Sequence, residues 1–416
     1  MTTKITILGA GPAGTCAALK LNQLGIDVVL IDKAQFPRDK ICGDGISHRV
    51  VDIMKRWLYP EIYERFCAEK NIQIDSWGLR VEGTRDNSFD IGYKAVYDIE
   101  HDTPPGFVCK RVWFDNFLVN EVRQAPHVQF FENTEITEFE KRGDVWFLSN
   151  KSGDFQMETS VLIVADGAQS RFARKIGGIS IDPKHYMASV KAYYKNVSGF
   201  SREHLLEFYF LDNFLPGYFW IFPLPNGEAN VGIAVVSETV QKRKLNLHKC
   251  LQEVLNSPKF HERFKPAELV GDVQGFGLPL ASKKRQLSGD AFMLVGDAAS
   301  LIDPLTGEGI ANAMLSGIVA AEQAVICVRE NNYSASKLKD YDTRIYRMRG
   351  QEFQVSYWFQ RQFKRQWFFN SLAWVVGKNI HLARTFAYVF NDVNLSKQLK
   401  SPTFWWKVLL NKRIKN

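Results

Sequence analysis

Gly9, Gly11 and Gly14, with Ala10, Pro12 and Ala13 between them, have the spacing that lets a chain wrap a pyrophosphate. The first glycine permits a tight turn, the second lets backbone amides come close, and the third lets a helix pack on a strand. A phosphate then sits at the helix N-terminus, where free N–H groups and the dipole favour negative charge. Asp32, at the end of the next strand-like run, is placed to accept hydrogen bonds from an adenosine ribose. This set specifies a dinucleotide without saying which one. Two more glycine–acid pairs close apolar strands: Asp166-Gly167, and Gly296-Asp297, the latter followed by Asp303-Pro304-Leu305-Thr306-Gly307-Glu308-Gly309-Ile310. The blander alternative for Asp297, a buried helix cap, is the lesser one because a glycine-rich turn follows. Tyr218, Trp220 and Phe222 alternate as one face of a strand, which suits either a core or the wall of an apolar tunnel.

The six cysteines (Cys16, Cys42, Cys67, Cys109, Cys250, Cys327) form no C-x-x-C pair. That spacing predicts neither a zinc site nor a disulfide framework, so no metal is expected and a reducing cytoplasm is. Met1–Lys4 leads straight into a strand-like run, which predicts no secretory signal peptide.

The elements that must position these residues follow from periodicity. Lys4–Leu8, Thr15–Leu24 and Asp27–Ile31 read as a βαβ opening. Ser76–Val108 reads as short strands. Val128–Phe131, Glu135–Glu140, Val145–Ser149 and Asp154–Thr159 read as a small meander, with Ser160–Ala165 as a separate buried strand. Tyr186–Val236 is again β-rich, with turn signals at Pro216-Gly217 and Asn226-Gly227. Leu245–Leu255 has helical spacing, Ala291–Val295 is a short strand, and Ile310–Arg329 is a long small-residue helix. Nucleotide-type motifs near 9, 166 and 296 require a cofactor domain assembled from separated segments.

Charge divides the chain. The net charge is +8, yet from Arg344 onward there are fourteen Lys and Arg against two acids, so the body is mildly acidic and the tail strongly basic. The same tail holds sixteen Phe, Tyr and Trp, including Tyr357-Trp358-Phe359, Trp367-Phe368-Phe369 and Trp405-Trp406. Interleaved rings and cations on helices suit a membrane–water interface, or a cap on the substrate domain. Nucleic acid is not an expected partner, because the body carries the opposite charge. No run of about eighteen apolar residues predicts a membrane-spanning helix.

Resemblance narrows the chemistry. Gly296–Ile310 resembles the second flavin fingerprint of the aromatic-hydroxylase-like FAD enzymes. It implies FAD, with Asp297 on a ribityl hydroxyl and Pro304, Gly307 and Gly309 in the turn that approaches the isoalloxazine. The helix from Ile310 would aim its positive end at the pyrimidine edge. Val164–Ser170, with Arg171 and Arg174, resembles the middle D-G motif of those enzymes, and Arg111 with Phe114 and Asp115 resembles their "R-x-x-F-D" helix. Phe36-Pro37-Arg38-Asp39-Lys40-Ile41-Cys42-Gly43-Asp44-Gly45 looks like the "P-R-x-K-x-C-G" segment of the geranylgeranyl reductase family. Tyr218–Pro223 with Asn230-Val231-Gly232 looks like its "Y-x-W-x-F-P … N-V-G" segment.

The resemblance implies an α/β fold: a glutathione-reductase-type, Rossmann-like FAD-binding domain built from 1–75, 109–185 and 285–343. A β-rich substrate domain would take 76–108 and 186–284, and a helical basic-aromatic region 344–416. It implies that Lys33, Arg38, Cys42, Gly43, Arg111, Asp166 and Gly167 join Gly9–Gly14, Asp32 and the Gly296–Ile310 residues around FAD. The implied reaction is reduction of C=C bonds in an isoprenoid or other long apolar substrate, with hydride from reduced flavin N5. Cys42 would give the proton, and Tyr218 and Trp220 would be the other catalytic residues, on the wall that lines the site. The alternative is a flavin-dependent monooxygenase acting on an apolar aromatic or polyene, a hydroxylase before a halogenase, because the halogenases' first Trp is absent at Tyr218. No second G-x-G-x-x-G marks a nicotinamide domain, so NADPH and ferredoxin both stand as electron donor. Oligomeric state leaves no mark in the sequence. The expected location is cytoplasmic, peripheral on the inner face of the membrane through the tail.

Overall fold

The computed structural model describes residues 1–83, 88–92 and 104–378. Thr2–Leu8 lies in the middle of an eight-stranded sheet, parallel to Val28–Ile31 on one side and Gln156–Val164 on the other. Val128–Phe131 extends the parallel order beyond Val28–Ile31, and Phe292–Leu294 extends it beyond Gln156–Val164. Val28–Ile31 reads Val-Val-Leu-Ile and is buried throughout, as a parallel strand covered on both faces must be. The helices Pro12–Gln23 and Ile310–Glu330 pack on each other and on this sheet. Ile310–Glu330 is long and apolar enough to cross a membrane, but 89% of its apolar window is buried inside the protein. It serves as the core helix on this sheet.

Two sequence expectations change here. Val128–Phe131 is not part of a meander: it is an edge strand of the parallel order, placed there by its pairing with Val28–Ile31. The expected pair Asp154–Thr159 and Ser160–Ala165 is one strand, Gln156–Val164. Its first half pairs antiparallel with Val145–Asn150 while its second half is clamped between parallel neighbours, and Thr159 and Val161 carry it through without a break.

A second sheet of seven strands runs Glu268–Pro279, Tyr186–Lys195, Ala229–Val236, Gly217–Pro223, Leu206–Tyr209, Gly78–Glu82 and Ser88–Gly92. Gly217–Pro223 is buried at every residue, because its two faces serve two cores. Tyr218, Trp220 and Phe222 face a cluster with Phe208, Phe210 and Leu305, whereas Phe219 and Ile221 pack with Phe260 and the helix Leu247–Leu255. A small third sheet, Gly45–Ile46, Gly106–Cys109 and Gln73–Ser76, anchors the loop that carries Cys42.

The helices Ala335–Gln362 and Gln366–Lys378 form the described part of the tail. Phe363 and Phe369 are buried against Phe210, with ring centroids 5.5 and 4.6 Å away. Trp358, Trp367 and Trp374 are instead 50%, 64% and 55% exposed. Trp405-Trp406 and the rest of the expected aromatic tail lie outside the described residues.

Candidate active site

A cavity of about 700 Å³ lies between the two large sheets. Gly9, Gly11, Pro12 and Ala13 open onto it, as do Asp32 and Lys33. Gly9 adopts φ +97°, and a Cβ there would overlap the Ala165 carbonyl. Pro12 opens the helix Pro12–Gln23, and the N-cap Gly11 offers no side-chain acceptor. The first-turn N–H groups therefore face the cavity without a cap, as an anion site requires. Asp32 is nearly buried; its carboxylate accepts from the Ala10 N–H at 2.6 Å and the Ala34 N–H at 2.8 Å, which fixes the glycine turn to the second strand.

The opposite end of the grip is the turn from Asp303 to Gly309. Asp303 Oδ1 accepts from the Leu305 N–H, the Thr306 N–H and the Thr306 hydroxyl, which folds the turn on itself. Gly307 has φ +73°, and a Cβ would overlap the Tyr218 hydroxyl. Gly309 caps the helix Ile310–Glu330 without a side-chain acceptor, so a second bare N-terminus meets the cavity at Ile310. Asp297 also lines the space and pairs with Lys40 Nζ at 3.4 Å. Gly14, Gly296 and Pro304 are set behind the wall. Gly14 and Gly296 are in close packing contacts, and the Pro304 carbonyl accepts from Gln360. Two uncapped helix ends, glycines that leave no room for side chains and an acid at each end suit FAD.

The two predicted arginines are tied to one acid. Arg111 forms a two-pronged pair with Asp115 at 2.6 and 2.7 Å, and Arg38 reaches the same carboxylate at 2.6 Å. Burial alone would raise the Asp115 carboxyl, but Arg111 and Arg38 outweigh it and hold it below its ordinary value. Arg38 stays beside Gly11, while Arg111 is buried. Asp166 and Gly167 border the same cavity.

The aromatic face of Gly217–Pro223 lines the same cavity beside the Asp303–Gly309 turn. The Tyr218 hydroxyl donates to the Thr306 carbonyl at 2.8 Å, so it braces the Asp303–Gly309 turn. Trp220 Nε1 donates to Asn230 Oδ1 at 2.9 Å. Asn230 Nδ2 in turn donates to the Cys42 carbonyl and to Asp44 Oδ2, both at 2.7 Å. Gly43 lies against Phe222, where a Cβ would come within 3.2 Å of the ring. The aromatic wall and the Cys42 loop are thus one hydrogen-bonded unit.

Sequence reasoning missed the residues behind that loop. Asp44 is fully buried and accepts from Asn230, from the Tyr193 hydroxyl at 2.7 Å and from the Arg111 N–H at 3.2 Å. Burial pushes its carboxyl up to about 6, against the opposing pull of Lys191 and these donors. Lys191 lines the cavity from the middle of Tyr186–Lys195. Asp44 follows Cys42-Gly43, and Asn230 opens Asn230-Val231-Gly232, so both lie inside the two family-like segments. For Lys191 the available signal was a lone lysine between Val190 and Ala192 in a strand otherwise fit for burial.

The sequence profile of the FAD binding domain family matches residues 2–349. Digeranylgeranylglycerophospholipid reductase 1 of Methanosphaera stadtmanae is 30% identical over 345 residues, covering 82% of this chain and 79% of that protein. The menaquinone reductase of Mycolicibacterium smegmatis is 30% identical over 331 residues, covering 76% of this chain and 75% of its own. A geranylgeranyl bacteriochlorophyll reductase-like protein from Thermoplasma acidophilum shares the fold, with a TM-score of 0.77 at 21% identity over 99% of this chain and 96% of that one. Fold and comparisons together define an FAD-dependent oxidoreductase. Within that class, the chain belongs to the geranylgeranyl reductase family.

Proposed function

We propose that this enzyme saturates C=C bonds of an isoprenoid or similarly long apolar substrate. The observation that carries the reading is the cavity, where a dinucleotide grip faces the Tyr218–Trp220–Phe222 wall and Cys42 opens on the same space. In this reading the segments 1–75, 109–185 and 285–343 hold FAD, and 76–108 and 186–284 hold the substrate. Bound, reduced FAD supplies hydride to one alkene carbon. The Cys42 thiol gives a proton to the other, its loop held in place by Asn230. The aromatic face excludes water and binds a chain that has no polar handle, with each buried CH₂ contributing about 0.8 kcal/mol. The names of the relatives, reductases of a prenylated phospholipid and of menaquinone, support this substrate class.

The remaining parts of the reading concern access and electrons. Trp358, Trp367 and Trp374 stand outside the substrate sheet beside Arg361, Lys364 and Arg365, a composition suited to docking on an anionic membrane face from the cytoplasm. NADPH and ferredoxin both fit as donor, and stopped-flow reduction by each separates them. The test of the reaction is anaerobic incubation of the dithionite-reduced protein with a geranylgeranylated glycerolipid or a menaquinone. Products heavier by 2 Da per saturated bond support the reading. Products that appear only in air and carry one added oxygen support the monooxygenase instead.

A further inference from the structure

Lys191 has a position that the reaction as described does not use. Its side chain is 2% exposed, and the strand around it is paired on both sides, with Gly232 and with Gln274. Among the described residues its Nζ has no hydrogen-bond acceptor. Asp39 Oδ2 lies 3.9 Å away, and the Tyr193 ring centroid 3.6 Å away. A bare ammonium in such a place is costly unless something holds its charge. Asp39 is the nearest counter-charge, and the field of the buried Asp44 behind the Cys42 loop adds to it; the Asp44 carboxylate is fixed by Tyr193, Asn230 and the Arg111 N–H. Lys191, Cys42, Asp44 and Asp39 all border the one cavity.

We propose that Lys191 is the proton reservoir that reloads Cys42 after each bond is saturated. The inference rests on the alkene-reductase reading. In each cycle the alkene gains a hydride on one carbon and the thiol proton on the other, which leaves Cys42 as a thiolate. The Lys191 ammonium returns a proton to that sulfur and becomes a neutral amine. The amine recovers its proton from water by way of Asp39, whose side chain is 45% exposed at the mouth. A long apolar chain filling the cavity shuts bulk water away from Cys42, so the proton has to come from within the protein. Burial also lowers the Lys191 ammonium from its ordinary value, with Asp44 and Asp39 opposing, which eases proton release toward a thiolate.

The test uses FAD-loaded protein under anaerobic conditions, with excess dithionite and a geranylgeranylated glycerolipid, sampled by rapid quench and mass spectrometry. Lys191→Met should saturate the first bond within about twofold of wild type, then slow about a hundredfold or more in later turnovers, the usual range of a lost acid–base group. Lys191→Arg keeps the charge on a somewhat longer side chain but cannot release a proton, so it should show the same burst. Methylammonium added to Lys191→Ala should restore the later turnovers. Later turnovers at wild-type rate in the Met or Arg variant would overturn the inference. So would a first turnover slowed as much as the later ones, since that indicates a charge or packing role. A wild-type protein that saturates no bond overturns the reductase reading itself and this inference with it.

Discussion

Replacing Asp44 by Asn tests the buried charge behind Cys42 through stability alone. The Asp44 carboxyl rises from an ordinary 3.8 to about 6 because burial penalises its anion more than Lys191, Asn230, Tyr193 and Arg111 favour it. Between those two values the folded protein holds a proton that the unfolded chain has lost, so stability falls as pH rises through that window. The gap corresponds to about 3 kcal/mol, most of it present as a benefit at pH 4 and gone by pH 7. Asn cannot titrate. It keeps an oxygen for Tyr193 and Asn230 but turns an NH₂ toward the Arg111 N–H, at a cost of about 1–3 kcal/mol that does not depend on pH. Urea unfolding of FAD-saturated protein at pH 4 and pH 7 should therefore show Asp44→Asn less stable than wild type at pH 4. By pH 7 the variant should gain about 2 kcal/mol relative to wild type, since part of the gap is already spent at pH 4. Parallel pH profiles for the two proteins would refute the argument that Asp44 is held against its own desolvation.

Gly307→Val forces a branched side chain into φ +73° and onto the Tyr218 hydroxyl, so purified protein should hold FAD at least about tenfold more weakly, read by flavin fluorescence. Cys42→Ala should bind FAD and accept electrons from dithionite as wild type does, while alkene saturation falls about a hundredfold or more. Unchanged saturation would remove Cys42 as the proton source. Replacing Trp358, Trp367 and Trp374 together by Ser should leave thermal stability nearly unchanged, because all three are exposed, yet abolish flotation with anionic phospholipid vesicles.

The dinucleotide grip was legible because its physics is local. A tight turn, a close phosphate and a helix start demand glycines at fixed offsets; Gly9 takes the positive φ and Gly11 the helix cap of such a turn, whereas Gly307 is marked only by the family resemblance. The alternation of Tyr218, Trp220 and Phe222 was legible as a face. That the opposite face of the same strand was equally buried depended on Leu247–Leu255 packing behind it, which no short-range pattern reveals. Val128–Phe131 looked like part of a hairpin array because its neighbours in sequence are strands, yet its partner is a hundred residues earlier. The Asp44, Asn230 and Lys191 cluster joins three distant segments, and only the crossing of the Cys42 loop with the seven-stranded sheet makes it one site. Tyr218 adds a contact that no sequence pattern reveals: its hydroxyl braces the Asp303–Gly309 turn while its ring lines the cavity.

The central claim is that reduced FAD in this protein passes its electrons to a carbon–carbon double bond. The direct measurement is an anaerobic titration of the dithionite-reduced, desalted protein with a geranylgeranylated glycerolipid, following flavin absorbance and the lipid mass together. The account predicts reoxidation of the flavin in step with saturation, one double bond lost for each FAD reoxidised. Flavin that stays reduced in the presence of the lipid, and reoxidises only when oxygen is admitted, would contradict it.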